Sequence, residues 1–258
     1  MKAVLLAGGL GTRMREETEF RPKPMVEVGG KPVLWHIMKV LAAQGITEFI
    51  ICAGYKSEYI KNYFYNYGSS NLDFTVTLGD QSSIVYHGSH EEFDWKVTVA
   101  DTGATTMTGG RIKRIRKFLD DGEPFLCTYG DGIADVDIAG LRDYHAQHGK
   151  LATMTATQAI SRFGVVDLEP DGSVEKFREK PKVDDWINIG YFIFEQGVFD
   201  YLGDNSVLEE EPLHTLANDG QIGAFRHQGF WQPMDTQRES QLLNQLWDSG
   251  NAPWKTWN

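Results

Sequence analysis

An α/β fold, with a mostly parallel central sheet and helices on both faces, follows from three features of the sequence. Short apolar runs of strand type alternate with segments whose apolar residues recur at helical spacing. The first such run, Ala3-Val4-Leu5-Leu6-Ala7, ends in a cluster of glycines. The chain of 258 residues, 41% of them apolar, is long enough to fill one large core. Alternating strands and helices require crossover connections, which lay parallel strands side by side under a cover of helices.

The first strand runs straight into Gly8-Gly9-Leu10-Gly11-Thr12-Arg13. Glycines this dense let backbone N–H groups approach an anion, because no Cβ intervenes and positive φ carries no penalty. Cations follow at Arg13, Arg15 and Arg21-Pro22-Lys23-Pro24, where two prolines stiffen the chain around Lys23. Backbone donors followed by held cations suit a triphosphate. The stretch is not a P-loop, since Gly30-Lys31 is followed by Pro32 instead of Ser or Thr. A dinucleotide GxGxxG counted from Gly9 has Met14 in its last position, and the next strand ends without a ribose-binding acid.

Val33, Leu34, Ile37, Met38 and Leu41 mark an amphipathic helix ending near Gly45, and Phe49 to Ala53 reads as a buried strand. A helix over Ser57 to Tyr67 and an alternating strand over Asp73 to Leu78 then complete a βαβαβ unit. Residues 79–94 are polar, lack a clear period and form an excursion from the core. In the Gly- and Thr-rich loop from Asp101 to Arg111, Thr108 is spaced to cap the following helix, while the hydroxyls and Arg111 equally suit the side of a nucleotide. The basic run Arg111 to Lys117 carries Ile112, Ile115 and Leu119 at helical spacing, so most of it is a solvated helix face.

The apolar strand from Pro124 to Tyr129 breaks at Gly130-Asp131-Gly132. A carboxylate just past the carboxyl end of a parallel strand sits at the crevice where such sheets bind ligands, which makes Asp131 the leading candidate for a metal ligand. A helix follows over Asp137 to His148, then a strand over Leu151 to Thr157. His145 and His148 lack the further ligands that a zinc site needs. Alternating segments between Phe163 and Phe177 flank the turn Pro170-Asp171-Gly172, as in a hairpin. Beyond it, Lys180 offers a point charge for a phosphate, Glu179 an acceptor for sugar hydroxyls, and Asn188 both a donor and an acceptor at the start of a strand. The tail reads as a helix over Glu209 to Gly220, a strand over Ile222 to Phe225, the element Phe230 to Thr236 and a closing helix over Gln237 to Ser249. Within that element Trp231 and Pro233 suit packing, and Asp235 suits capping the last helix.

Composition bounds the partners. A formal net charge of −11 argues against a general nucleic-acid binder, whereas a small anionic substrate needs only a few local cations and a divalent metal. No apolar run reaches the length of a membrane span, and Met1-Lys2 leads into a strand, so a soluble cytoplasmic protein without a membrane partner is expected. Cys52 and Cys127 lie in apolar runs, as buried reduced thiols do.

The string LAGGLGTRM followed by RPKPMVEVGGKP resembles the signature of the sugar-1-phosphate nucleotidylyltransferases, with Met14 where leucine is usual. FGVV, EKP and NxG, in that order, are similar to the sugar-phosphate half of the same family. The resemblance spans essentially the whole chain and implies one Rossmann-like nucleotidyltransferase domain over 1–258. Residues 1–150 would be mainly the nucleotide half; residues 151–258 would be mainly a small β/α sugar-phosphate half with the C-terminal helix. It implies catalytic roles for Arg13, Lys23 and Asp131. Leu6, Ala7, Gly8, Gly9, Leu10, Gly11, Thr12, Arg13, Thr106, Arg111 and Gly130 would surround the nucleotide, and Gly164, Glu179, Lys180, Asn188 and Gly190 the sugar phosphate. Mg2+ would sit on Asp131 and Asp235. The HIM helix, the DTG…MTGGR loop, TYGDG, FWQPMDT and APWKTW narrow the resemblance to the branch that joins CTP to glucose 1-phosphate, and the family implies a homo-oligomer. Use of UTP or dTTP, or a non-catalytic nucleotide-sugar sensor, stay open as alternatives. A sugar-phosphate kinase is disfavoured, since neither a kinase phosphate loop nor a general base is in view.

Overall fold

Seven strands make the central sheet: β1 (Ala3–Ala7), β2 (Glu48–Ala53), β3 (Lys96–Asp101), β4 (Phe125–Tyr129), β5 (Ala152–Ile160), β6 (Lys182–Phe194) and β7 (Ile222–Arg226). They lie in the order β7-β5-β6-β4-β1-β2-β3, and β6 alone runs against the rest. The structure, a computed structural model, describes residues 1–161 and 163–257, and the side chains of these except at 13, 15, 16, 80–82, 159 and 183.

The mostly parallel sheet expected from the sequence is thus present, and β1 shows why its core strands read as unbroken apolar runs: both faces are covered. Leu5 and its alternates pack with α1 (Val33–Ala42), α2 (Ser57–Tyr65), α4 (Ile138–His148) and α6 (Gln237–Asp248). Val4 and Leu6 face the other way, toward α3 (Thr108–Arg114) and α5 (Glu211–Asn218), with Cys52 and Cys127 buried among them as free thiols. Burial pushes the Cys52 thiol up to about 12. Asp137 caps α4 by accepting from Gly140 N, and α6 opens with a capping box between Thr236 and Glu239.

Three expectations need correction. The segment Asp73–Thr77 is not a strand of the parallel sheet; it pairs antiparallel with Asp80–His87 in a separate exposed hairpin, Phe74 opposite Tyr86 and Val76 opposite Ile84. The polar excursion therefore contains a strand, and the third parallel strand is β3, whose Val97 and Val99 pack on the core. Alternation of apolar and polar residues marks a strand but does not say which sheet it joins. Thr108 is the first residue of α3, not its cap; its hydroxyl donates to Glu209 Oε2 (2.7 Å) and accepts from Leu208 N (2.8 Å). Asp235 does not cap α6, because Thr236 does.

Candidate active site

The chain leaves β1 for β2 on one side, while β4 joins β1 from the other, so the strand order reverses between β1 and β4. Loops leaving such neighbours diverge and open a crevice at their carboxyl ends. Gly130 N donates to Leu6 O (2.9 Å) and ties the two loops at its floor. A cavity of about 720 Å3 lies there, lined by Leu6 to Thr12, Lys23, Thr106, Arg111, Tyr129, Asp131, Asn188, Trp231 and Asp235. A second cavity, of about 680 Å3, lies beside α2 and β3, among Tyr65, Tyr67, His90 and Trp95, and has none of these groups on its walls.

The glycine loop is shaped partly by the protein itself. A Cβ on Gly8 would stand 2.1 Å from Arg111 Nη1. The Arg111 guanidinium is buried, donating from Nη1 to Thr102 Oγ1 (2.7 Å) and Gly103 O (2.8 Å) and from Nη2 to Gly8 O (2.9 Å). Burial lowers its pKa from the usual guanidinium value. Arg111 is therefore a clamp on the backbone of this wall. Thr106 is buried beside it, and Gly9 faces open space. The Arg13 side chain lies outside the described residues.

Pro22 and Pro24 flank Lys23, which opens a single 3-10 turn over Lys23–Met25, closed by Met25 N donating to Pro22 O (2.8 Å). The Lys23 side chain, 9% exposed, puts Nζ 2.6 Å from Asp131 Oδ2 and 2.5 Å from Asp235 Oδ1. The two aspartates meet through sheet pairing: Gly132–Ala134 pairs antiparallel with Trp231–Pro233, and Met234 N donates to Asp131 O (2.9 Å). The Asp235 N–H donates to Glu239 Oε2 (2.7 Å), which leaves the carboxylate turned to Lys23. Two carboxylate oxygens converging on one cationic position are hard donors of the kind Mg2+ takes, and phosphate oxygens and water complete such a shell. The residues fit a divalent ion, though the described residues hold no group of three or more such side chains.

Of the residues expected around the sugar phosphate, only Asn188 lines the cavity. Gly190, at φ +84°, gives way to the Tyr129 ring, which a Cβ there would meet at 2.0 Å. Gly164 sits against Phe177 and Glu179, while Glu179 and Lys180 are exposed and 3.8 Å apart, away from the cavity wall. Among the described residues the structure does not bring Gly164, Glu179 and Lys180 to the glycine loop. His145 and His148 both bond to Thr153 Oγ1 (2.7 Å each), which accounts for the pair without zinc.

Sequence reasoning missed Tyr129 and Glu209. Tyr129 OH donates to Glu209, and burial, with that carboxylate, raises the phenol above its ordinary value. Tyr129 stands where a parallel strand ends at Gly-Asp-Gly, a position that could have flagged it; Glu209 has no local signal, since it arrives through a contact eighty residues away in the chain.

The crevice, its glycine loop and its converging carboxylates make an α/β site suited to a nucleotide and a divalent ion. Residues 2–220 match the family model described as Nucleotidyl transferase, and the chain belongs to that family. It is 52% identical to the glucose-1-phosphate cytidylyltransferase of Salmonella typhi, over 100% of both chains, and 42% identical to a probable glucose-1-phosphate cytidylyltransferase of Bacillus subtilis, again over 100% of both. The resemblance drawn from its motifs therefore holds from end to end. Members of the family generally use a divalent metal. HddC from Yersinia pseudotuberculosis superposes with a TM-score of 0.71 at 23% identity, over 95% of this chain and 99% of that one; this likeness shows the fold. Among the described residues no helix is long and apolar enough to cross a membrane.

Proposed function

We propose that this chain transfers the cytidylyl group of CTP to glucose 1-phosphate, giving CDP-glucose and pyrophosphate for nucleotide-sugar biosynthesis. The observation that carries the proposal is Lys23 held between Asp131 and Asp235 at the glycine loop, in a chain 52% identical end to end to a glucose-1-phosphate cytidylyltransferase. A phosphate oxygen of glucose 1-phosphate attacks the α-phosphorus in line and pyrophosphate leaves, so no covalent enzyme intermediate is needed. The chain then contributes position and charge, the terms that dominate phosphoryl transfer.

Backbone N–H groups of Gly8 to Thr12, with Arg13, hold the triphosphate, and Arg111 keeps that backbone in place. Lys23 neutralises charge that develops at the transferred phosphoryl group. Asp131 and Asp235 would hold Mg2+, which when bound neutralises phosphate charge and keeps the reacting groups in line. Asn188 borders the sugar from the cavity wall, while the family resemblance assigns the attacking phosphate to Lys180 and the sugar hydroxyls and ring to Glu179, Gly164 and Gly190, which requires the exposed turn at Glu179 and Lys180 to close on the crevice when substrate binds. Residues 1–150 thus serve mainly the nucleotide and residues 151–258 mainly the sugar phosphate, the halves of one domain meeting where Asp235 reaches Lys23. The working form is a cytoplasmic homo-oligomer.

The test is direct. The purified protein, given CTP, glucose 1-phosphate and Mg2+, should release CDP-glucose and pyrophosphate in equal amounts, read by anion-exchange chromatography. No product from well-folded protein would overturn the proposal.

A further inference from the structure

Trp231 suits packing by its sequence, yet its indole nitrogen is one of the few buried polar atoms among the described residues without a hydrogen-bond partner. A buried donor left unsatisfied is costly, so its persistence calls for a role. Its position supplies one. Trp231 and Gly132 stand close at the edge of the paired segments that bring Asp131 and Asp235 together, and both line the crevice. A Cβ on Gly132 would lie 3.4 Å from Nε1, at ordinary contact distance, so the donor stands directly beside Gly132. Asn188 and Ile189, from the half opposite the glycine loop, line the same cavity.

We propose that Trp231 is a substrate-positioning residue whose indole N–H donates to a hydroxyl of the sugar in glucose 1-phosphate. The inference rests on the cytidylyl-transfer reading and deepens it at the sugar. A hydroxyl is the acceptor because the anionic oxygens have Lys23 and the glycine-loop N–H groups to meet them, whereas an indole N–H is a neutral donor matched to a neutral oxygen. Binding then satisfies a group that the free protein leaves unpaired, so sugars lacking the matching hydroxyl lose that gain.

The experiment compares the full-length protein with Trp231→Phe, which keeps an aromatic ring and deletes the donor. The variant is expected to lose about ten- to a hundredfold in kcat/KM for glucose 1-phosphate, with KM for CTP unchanged and Tm unchanged or raised. Among monodeoxy glucose 1-phosphates, one should be used as poorly by the normal protein as by the variant, which identifies the hydroxyl. If no deoxy sugar shows this coupling, or if the variant loses stability and keeps its kinetics, Trp231 is a packing residue and the proposal fails.

A second measurement is independent of the variant's activity. With 15N-tryptophan protein, the Trp231 indole N–H peak, assigned by its loss in Trp231→Phe or in Trp231→Leu if the first does not fold, should move downfield with CDP-glucose and stay in place with CTP alone. An unmoved peak overturns the proposal. Failure of the normal protein to make CDP-glucose would instead remove the reading on which it rests.

Discussion

Replacing Lys23 by alanine should weaken catalysis and strengthen metal binding together. The ammonium lies 2.6 Å from Asp131 and 2.5 Å from Asp235. Removing it leaves two carboxylate oxygens no more than about 5 Å apart, whose repulsion at an effective dielectric of about 20 is about 3 kcal/mol. The Asp131 side chain is 33% exposed, so screening by water and salt reduces this to about 1–2 kcal/mol. A divalent ion relieves that repulsion and no longer competes with the ammonium. Lys23→Ala should therefore bind Mn2+ in the absence of nucleotide about 5- to 30-fold more tightly than the normal protein. Loss of a charged group aimed at the transferred phosphoryl should meanwhile cut turnover about a hundredfold or more. Electron paramagnetic resonance titration of Mn2+ reads the first quantity and pyrophosphate release at saturating substrates the second, with circular dichroism to confirm folding. Weaker Mn2+ binding in the variant, or turnover close to normal, would refute the placement of Lys23 as an internal counter-ion that also serves the reaction.

Asp131→Asn and Asp235→Asn should each abolish most activity, and the double variant should cost little beyond the worse single one, since the two act as a unit; additive losses in kcat/KM would mean separate roles. Gly8→Ala forces the Arg111 guanidinium off its carbonyls and should cost about 3 kcal/mol in urea unfolding. Gly9→Ala meets nothing within 4 Å and should leave stability within about 0.5 kcal/mol of normal, yet weaken CTP binding by calorimetry; undiminished affinity would remove the loop from the nucleotide site. His36 is sealed among Trp247, Trp254 and Trp35, its Nε2–H donating to Val28 O (2.8 Å), and burial lowers its pKa from 6.5 to about 4. The unfolded chain takes up this proton first, so the His36 contribution to stability is constant above about pH 6.5 and falls by about 3 kcal/mol as pH drops toward 4. Melting temperatures across that window should follow, and His36→Gln should flatten the slope; an unchanged slope would assign it to other groups.

How much of this was legible in the sequence depends on the range over which each feature is set. Strands β1, β2 and β4 and helix α4 announce themselves locally, by continuous apolar runs and by the Asp137 cap. The segment Asp73–Thr77 has the right alternation but joins a hairpin, because period alone does not choose a partner. Lys23, Asp131 and Asp235 could each be nominated from motifs. That the ammonium lies between the carboxylates could not, since the pairing of Gly132–Ala134 with Trp231–Pro233 arranges it across a hundred residues. Arg111 shows the reverse case: a cation beside a glycine loop suggests phosphate, yet carbonyl oxygens of that loop and of its neighbours hold it. Glu179 and Lys180 sit on an exposed turn, where sequence order is all that points to the sugar phosphate.

The choice of base tests the cytidylyl assignment most directly. Cytosine differs from uracil and thymine by presenting a donor where they present an acceptor, and a buried polar group left unmatched costs about 1–3 kcal/mol. Steady-state pyrophosphate release should be measured with CTP, UTP, dTTP and ATP, each with glucose 1-phosphate and Mg2+. The expected result is a kcat/KM for CTP above every other nucleotide by about ten- to a hundredfold. Equal or better use of UTP or dTTP would contradict it.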